Sequence, residues 1–79
     1  MHTVTINADS RVPFHAQLAE ILRDKIRRGQ ITARVPSIVT LSQEYGVARN
    51  TAAHALRTLE EEGLITPVRG KGFYVTESG

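Results

Sequence analysis

The chain from residue 37 to residue 75 has the sequence SIVTLSQEYGVARNTAAHALRTLEEEGLITPVRGKGFYV, which decides the fold. It contains two helical patterns that meet at Gly46, and two runs of β-branched and aromatic residues follow the second pattern. The apolar residues of the second pattern recur at the i, i+3, i+4 and i+7 spacing of one helix face, namely Ala52, Ala55, Leu56 and Leu59. This spacing predicts a helix that packs one side against a core.

The opposite face of this helix carries polar side chains. At about 3.6 residues per turn, Asn50, His54 and Arg57 point away from the apolar stripe. Gly63 supplies the left-handed exit that commonly ends a helix. We therefore predict a third helix over about residues 49–62, with one side packed and the other side available to a partner.

A first helix is predicted near the start of the chain. Pro13 suits the first turn of a helix, where its missing N–H costs nothing. An apolar stripe follows, formed by Phe14, Leu18, Ile21 and Leu22. A cationic last turn at Arg27 and Arg28 precedes Gly29, so the first helix is predicted over about residues 13–28. The stripe is expected to face the core.

The second helix begins after Ser37, which is a good N-cap residue, and ends at Gly46. Its inward face is expected to consist of Ile38, Leu41 and Tyr45. Residues 30–36 form a connector between the first two helices, in which we expect Ile31 and Val35 to be buried.

Two short β-branched and aromatic runs, at residues 64–68 and 73–76, flank the sequence RGKG at residues 69–72. This arrangement predicts a β-hairpin with a glycine-rich turn. The predicted fold class is therefore mainly α with a small β-hairpin, a winged helix-turn-helix of three helices plus a wing. The chain divides into an N-terminal arm or short strand, the winged helix-turn-helix domain and a tail, at residues 1–12, 13–76 and 77–79.

Composition and charge describe one small domain. The 79 residues are 41% hydrophobic and 23% charged, as in ordinary globular proteins. The chain has no cysteine, which fits a reducing compartment, and no apolar run approaches the roughly 20 residues of a membrane span. We find no targeting signal and expect a cytoplasmic protein. The net charge is +2, and residues 60–62 (EEE) offset arginines elsewhere, so we expect one basic face rather than a uniformly basic surface.

No pattern in the sequence indicates a catalytic site. His2, His15 and His54 are far apart in sequence and have no cysteine or paired acidic partner at ligand spacing. No nucleophile elbow, phosphate-binding loop or dinucleotide-binding motif is present. We therefore expect no enzymatic activity, no cofactor and no bound metal.

An ordered set of motifs extends along nearly the whole chain. It runs from Pro13-Phe14-x-x-Gln17-Leu18-Ala19, through Val35-Pro36-Ser37 and Gly46-Val47-x-Arg49-x-Thr51, to Gly63-Leu64-Ile65 and Gly70-Lys71-Gly72-x-Tyr74-Val75. Over about residues 10–76, this set resembles the DNA-binding domain of GntR-family bacterial transcription regulators. The resemblance implies a third helix in the major groove of DNA, a wing on the adjacent backbone or minor groove, and a dimer on a palindromic operator.

Several positions depart from the pattern of that family. Ile38 and Val39 occupy the places of an acidic–basic pair, the arginine of which touches phosphate in the family. Ala48 replaces the usual serine or threonine before the third-helix arginine, and Ala53 replaces a second arginine. No operator sequence can therefore be carried over from the resemblance.

Candidate DNA contacts follow from the residue types and from the resemblance. Arg49 can bind a phosphate or a guanine edge through its two-pronged guanidinium, and Asn50 can pair with adenine. The wing supplies cations for phosphate or minor-groove contacts. The full candidate set is Ser37, Arg49, Asn50, Thr51, His54, Arg57, Arg69, Gly70, Lys71 and Gly72.

Most of these candidates have a purely structural alternative. Arg49, His54 and Lys71 can be solvated surface residues, and Asn50 and Thr51 can serve only to start the helix. The wing glycines can serve only the turn. Both interpretations remain open at this point.

The favoured function is a sequence-specific double-stranded DNA-binding transcription regulator, with repression as the expected effect. The alternative is a protein–protein adaptor, because Val39, Ala48 and Ala53 lack phosphate-binding side chains. A DNA-binding domain must lose affinity as the salt concentration rises, whereas an adaptor need not.

Regulators of the GntR family generally continue into a C-terminal domain that binds a metabolite and holds the dimer together. This sequence is then either a piece of such a regulator or a stand-alone regulator, and an effector ligand is expected only in the first case. We expect a homodimer on DNA that is weak or absent in free solution.

Overall fold

The computed structural model describes residues 11–76 of the chain. Three helices precede an antiparallel hairpin, in the order α1 Phe14–Arg27, α2 Ile38–Tyr45, α3 Arg49–Glu61, β1 Ile65–Val68 and β2 Gly72–Val75. The predicted element types and their order are confirmed. The predicted tail and all but the last two residues of the predicted N-terminal arm lie outside the described residues. No helix within residues 11–76 is long and apolar enough to cross a membrane.

The ends of two helices differ by one residue from the prediction. Pro13 is the N-cap of α1 rather than its first residue, and its carbonyl oxygen accepts hydrogen bonds from the backbone N–H groups of Ala16 and Gln17, both at 3.0 Å. The last turns of α1 and α3 are followed by the C-cap residues Arg28 and Glu62, so neither residue belongs to its helix. These shifts move each affected helix end by a single residue.

The turn from α2 to α3 is held by Ser42. Gly46 ends α2 with a left-handed backbone, at φ 67° and ψ 33°, and its N–H donates to the Ser42 carbonyl oxygen. The Val47 N–H donates to the same carbonyl at 3.2 Å, and the Ser42 hydroxyl donates to the Val47 carbonyl at 2.6 Å. The Val47 side chain is 6% exposed and belongs to the core. The turn is therefore fixed by hydrogen bonds on both sides and by burial.

The helix α3 is central to the core, because it contacts α1, α2 and β1. Its predicted apolar face is confirmed, since Ala52, Ala55, Leu56 and Leu59 are at most 1% exposed. The largest fully buried side chains are Leu18, Leu22, Val35, Leu41, Leu56, Leu59 and Ile65. The expected burial of Phe14 is wrong. Its side chain is 42% exposed because it lies at the outer end of α1, a full turn before Leu18, where the core ends.

The hairpin has a partner that the sequence analysis missed. The strands β1 and β2 pair in antiparallel register from Ile65 opposite Val75 to Val68 opposite Gly72, with Pro67 opposite Phe73. Residues 33–35 pair with the other side of β2. The Val35 N–H donates to the Phe73 carbonyl at 2.9 Å, and the Val75 N–H donates to the Ala33 carbonyl at 2.7 Å. The predicted connector thus contains an isolated β-bridge, Arg34 opposite Tyr74, so β2 is bonded on both sides and β1 is the edge strand of the two-stranded sheet.

Two charged residues of α1 bond to the other helices. The Arg23 guanidinium donates to both carboxylate oxygens of Glu62, at 2.9 and 2.7 Å, and this hydrogen bonding lowers the pKa of that carboxyl below its ordinary value. The Lys25 ammonium donates to the Tyr45 hydroxyl at 3.0 Å. Both cations therefore connect α1 to residues far away in the sequence, whereas Arg28, the C-cap of α1, pairs with Asp24 one turn before it.

Helix capping generates a first prediction. The Ser37 hydroxyl accepts a hydrogen bond from the Thr40 backbone N–H at 3.1 Å, whereas Ala48 caps α3 without any side-chain bond. Ala48→Ser should raise the free energy of unfolding by about 1 kcal/mol, and Ser37→Ala should lower it by about the same amount. Urea unfolding of the free protein measures both changes. Equal stability of all three proteins would contradict this assignment of the caps.

The Arg23–Glu62 pair generates a second prediction. Because the folded protein lowers the pKa of Glu62, the pair stabilises the fold above the ordinary carboxyl pKa of 4.5 and loses this contribution as the pH falls through the lowered value. Glu62→Gln should destabilise the protein by less than about 1 kcal/mol at pH 7, because both side chains are partly exposed. The difference from the native chain should shrink in acid.

Urea unfolding at pH 7, 5 and 3 measures this pH dependence. Glu61→Gln is the matched control, because Glu61 is an exposed carboxylate that makes no ion pair with any other residue from 11 to 76. A destabilisation by Glu62→Gln that grows as the pH falls would exclude the proposed role of the pair.

Candidate nucleic-acid interface

The exposed face of α3 begins at the first residue of the helix. Arg49, Asn50 and Arg57 are exposed, and Thr51 is half-buried. Because the α2–α3 turn is fixed and the opposite face of α3 is buried, the direction of these side chains is set by the core. Ala48 provides no side-chain acceptor for the backbone N–H groups of the first turn. The start of α3 therefore presents backbone donors together with the Arg49 cation.

The candidate His54 lies on the exposed face of α3, as predicted, but it has a contact that the sequence analysis did not foresee. Its side chain is exposed, but its ring stacks on that of His15 in α1, with ring centroids 3.7 Å apart and an angle of 16° between the planes. The stack covers one face of the imidazole and holds it towards α1. His54 therefore has a packing role that the helical pattern did not reveal, and its DNA contact stays a prediction.

The wing turn is built by two glycines with positive φ. Gly70 has φ 77° and Gly72 has φ 101°, and residues other than glycine rarely adopt such backbone angles. The Lys71 N–H donates to the Val68 carbonyl at 2.9 Å and closes the turn. Residues 69–72 are all exposed, so the turn projects Arg69 and Lys71 into solvent. The predicted turn is confirmed.

Positive charges are separated from negative charges along the chain. Residues 45–59 and 63–76 contain no aspartate or glutamate. Arg49, Arg57, Arg69 and Lys71 lie in these segments, are exposed, and form no ion pair with any other residue from 11 to 76. We call these four residues the basic surface. In contrast, Glu62 and Asp24 are paired with arginines of α1.

A groove lies between the start of α2 and the wing. Its volume is about 300 Å³, and its lining includes Ser37 and Gly72, two of the predicted contact residues. The rest of the lining is Arg34, Val35, Ile38, Val39 and Phe73. The sequence analysis did not select Arg34. A usable signal was present, because Arg34 is the only charged residue between Gln30 and Gln43.

The part of the chain that the structure describes has no cluster of three or more His, Cys, Asp or Glu side chains that could hold a metal ion. The exposed polar groups at the start of α3 and on the wing turn are cations without an ion pair, hydroxyl groups and backbone donors. These groups suit a polyanionic partner.

Three helices, a fixed helix-turn-helix angle and a glycine-tipped hairpin define a winged helix-turn-helix domain. Residues 14–75 match the family described as bacterial regulatory proteins, gntR family, and the chain belongs to this family. It is 36% identical over 67 residues to the mannosyl-D-glycerate transport/metabolism system repressor MngR of Escherichia coli (strain K12). That alignment covers 82% of this chain but only 28% of MngR.

Solved structures agree with this assignment. The fold is similar to that of YtrA from Sulfolobus acidocaldarius, a GntR-family transcription factor, with a TM-score of 0.86 and 27% identity over 96% of this chain and 82% of that chain. It is also similar to AraR(DBD) in complex with operator ORX1, with a TM-score of 0.82 and 28% identity over 96% of this chain and 100% of that chain. These relatives are regulators, which confirms the prediction that the chain is not an enzyme.

Proposed function

We propose that this chain is a sequence-specific, double-stranded DNA-binding domain of a cytoplasmic transcription regulator that acts as a repressor. In this proposal α3 enters the major groove, and the wing lies on the adjacent backbone or in the minor groove. The observation that carries it is the basic surface, whose four exposed cations have no carboxylate partner within residues 11–76. Unpaired cations on a rigid frame bind a regular array of phosphates without first breaking internal ion pairs.

Two of the similar proteins support this proposal. AraR(DBD) has been solved with operator DNA, and MngR is named as a repressor. The chain covers the whole of the AraR(DBD) chain, so the shared part is the part found on an operator there. Repression is carried over from the name of MngR, of which this chain spans 28%.

The candidate residues divide into two roles. Arg49 and Asn50 lie at the start of α3, where a side chain can reach a base edge, and bidentate contacts there discriminate between bases. Lys71 and the other wing residues bind the backbone or the minor groove, where readout is mostly independent of sequence. Thr51 donates a hydrogen bond to phosphate, and Arg57 extends the contact along the α3 face. Ser37 donates to phosphate when its hydroxyl turns away from Thr40 Oγ1, to which it donates at 2.9 Å in this structure.

The salt dependence of binding tests this assignment. For the native chain, the log–log slope of duplex affinity against salt concentration should be about −2 to −4 per protomer, from about 0.9 per neutralised phosphate. Arg49→Ala should lose roughly 1–3 kcal/mol and relax the preference at one base position. Lys71→Ala should weaken all sequences alike and reduce the slope by about 1.

Fluorescence anisotropy titrations measure these effects on two duplexes, one selected from a random library by the native protein and one scrambled. Arg27→Ala is a matched control, because Arg27 is exposed on α1 and lies outside the basic surface. Duplex affinity that does not change with salt would favour a protein–protein adaptor instead. A change in base preference caused by Lys71→Ala would refute the two assigned roles.

The oligomeric state of the 79-residue chain is expected to differ between free solution and DNA. A stable interface buries about 800 Å² per partner. The exposed large hydrophobic side chains within residues 11–76 are Val12, Phe14, Val39 and Val68. Four such side chains are too few to form the apolar centre of an interface of this size. The free chain should therefore be mainly monomeric at tens of micromolar. On an inverted repeat with half-sites about one helical turn, roughly 34–36 Å, apart, two copies should bind cooperatively as a homodimer.

Sedimentation without DNA, followed by titration of full and half palindromes, measures this cooperativity. The half palindrome is the control for the intrinsic affinity of one copy. A tight dimer without DNA, or equal affinity per site on both duplexes, would place the source of cooperativity elsewhere.

A further inference from the structure

Arg34 borders a surface that the predicted contacts do not explain. The groove between α2 and the wing, of about 300 Å³, has an apolar wall formed by Ile38, Val39 and Phe73. A second groove, of about 330 Å³, also includes Arg34 and Ser37 in its lining. Of the residues from 11 to 76 that line these two grooves, only Arg34 is charged. Both grooves thus share one charged lining residue, Arg34.

The position of Arg34 is fixed relative to the wing. It lies opposite Tyr74 of β2, and the backbone hydrogen bonds of Ala33 and Val35 to this strand enclose it on both sides. Its side chain is exposed, and within the described part of the chain no carboxylate pairs with it. The guanidinium is therefore carried by backbone that is bonded to β2 on both sides of Arg34, and its donors form no ion pair within residues 11–76.

We infer that Arg34 binds a phosphate of the DNA backbone, and that the groove between α2 and the wing holds the adjoining sugar. This inference rests on the proposed function and adds a contact to it. Ser37 and Gly72 line the same groove, so it is continuous with the predicted DNA contacts. The planar guanidinium matches the geometry of phosphate oxygens. The apolar wall faces the deoxyribose, which carries no charge.

The charge pattern favours this occupant. Residues 30–43 contain no acidic side chain, and the wing contributes only the cations Arg69 and Lys71. An anionic strand that lies along residues 30–43 and 63–76 therefore meets cations and no carboxylate of these two segments. The side chain at position 39 is Val39, which is 42% exposed and supplies no donor, so Arg34 is the cation that this groove offers.

Arg34→Gln tests the inference, because it removes the charge and keeps a polar side chain at an exposed position. The salt slope of duplex affinity should become less steep by about 0.9, equally on the selected and the scrambled duplex. When the salt concentration rises fourfold, the duplex affinity of Arg34→Gln should therefore fall by a factor that is about 3.5 times smaller than the factor for the native chain. Arg34→Lys should restore the native slope, since a phosphate contact needs a cation rather than a specific base pairing.

Two further variants serve as controls. Arg27→Gln removes an exposed arginine of α1 and should leave the slope unchanged. Val39→Arg places a second cation on the groove and should make the slope steeper by about 0.9. Thermal unfolding followed by circular dichroism should show the native fold for each variant.

The outcomes distinguish a failure of the proposed function from a failure of the Arg34 contact alone. If the native chain binds no duplex in a salt-dependent way, the proposed function itself is wrong. If the native chain shows the expected slope and folded Arg34→Gln keeps that slope, only the present inference is overturned. A less steep slope for Arg34→Gln, together with native slopes for Arg34→Lys and Arg27→Gln, supports the phosphate contact.

Discussion

The hydrogen-bonded turn at Ser42, Gly46 and Val47 is the constraint on which the orientation of the other parts depends. The left-handed Gly46 reverses the chain within one residue, and the Ser42 hydroxyl and carbonyl bind the backbone on both sides of the reversal. Burial of Val47 then ties the turn to the core. The angle between α2 and α3 follows from these bonds. With that angle fixed, the apolar face of α3 is buried and the Arg49 end of the helix is directed outwards. A side chain with a Cβ at Gly46 would strain the backbone and loosen this angle.

The helix α1 supports the rest of the fold through its charged side chains. Its cations hold partners from the other two helices, Arg23 on Glu62 and Lys25 on Tyr45. Glu62 lies at the C-terminal end of α3, directly before the chain enters the wing, so its bond to Arg23 joins α1 to the point where α3 ends.

Local patterns predicted most of the fold, and long-range contacts account for most of what was missed. The helices α1, α2 and α3 were found because their apolar spacing and their cap residues are local features. The segment 33–35 is too short to show an alternation of apolar and polar residues. Its partner β2 lies almost 40 positions away in the sequence. The Arg23–Glu62 pair, 39 residues apart, and the His15–His54 stack likewise connect distant segments. The candidate set omitted Arg34 for the same reason, since its place beside the wing arises only when the connector pairs with β2.

The position of Pro67 in β1 has a consequence for solubility. The Val75 N–H and the Phe73 carbonyl are directed towards residues 33–35, so Tyr74 and Gly72 supply the bonds to β1. Pro67, opposite Phe73, therefore directs its nitrogen to the outer edge of the sheet, where it offers no hydrogen-bond donor. The hairpin loses no bond, yet another extended segment cannot add a complete strand along this edge. Proline at this position thus protects the wing from edge-to-edge aggregation.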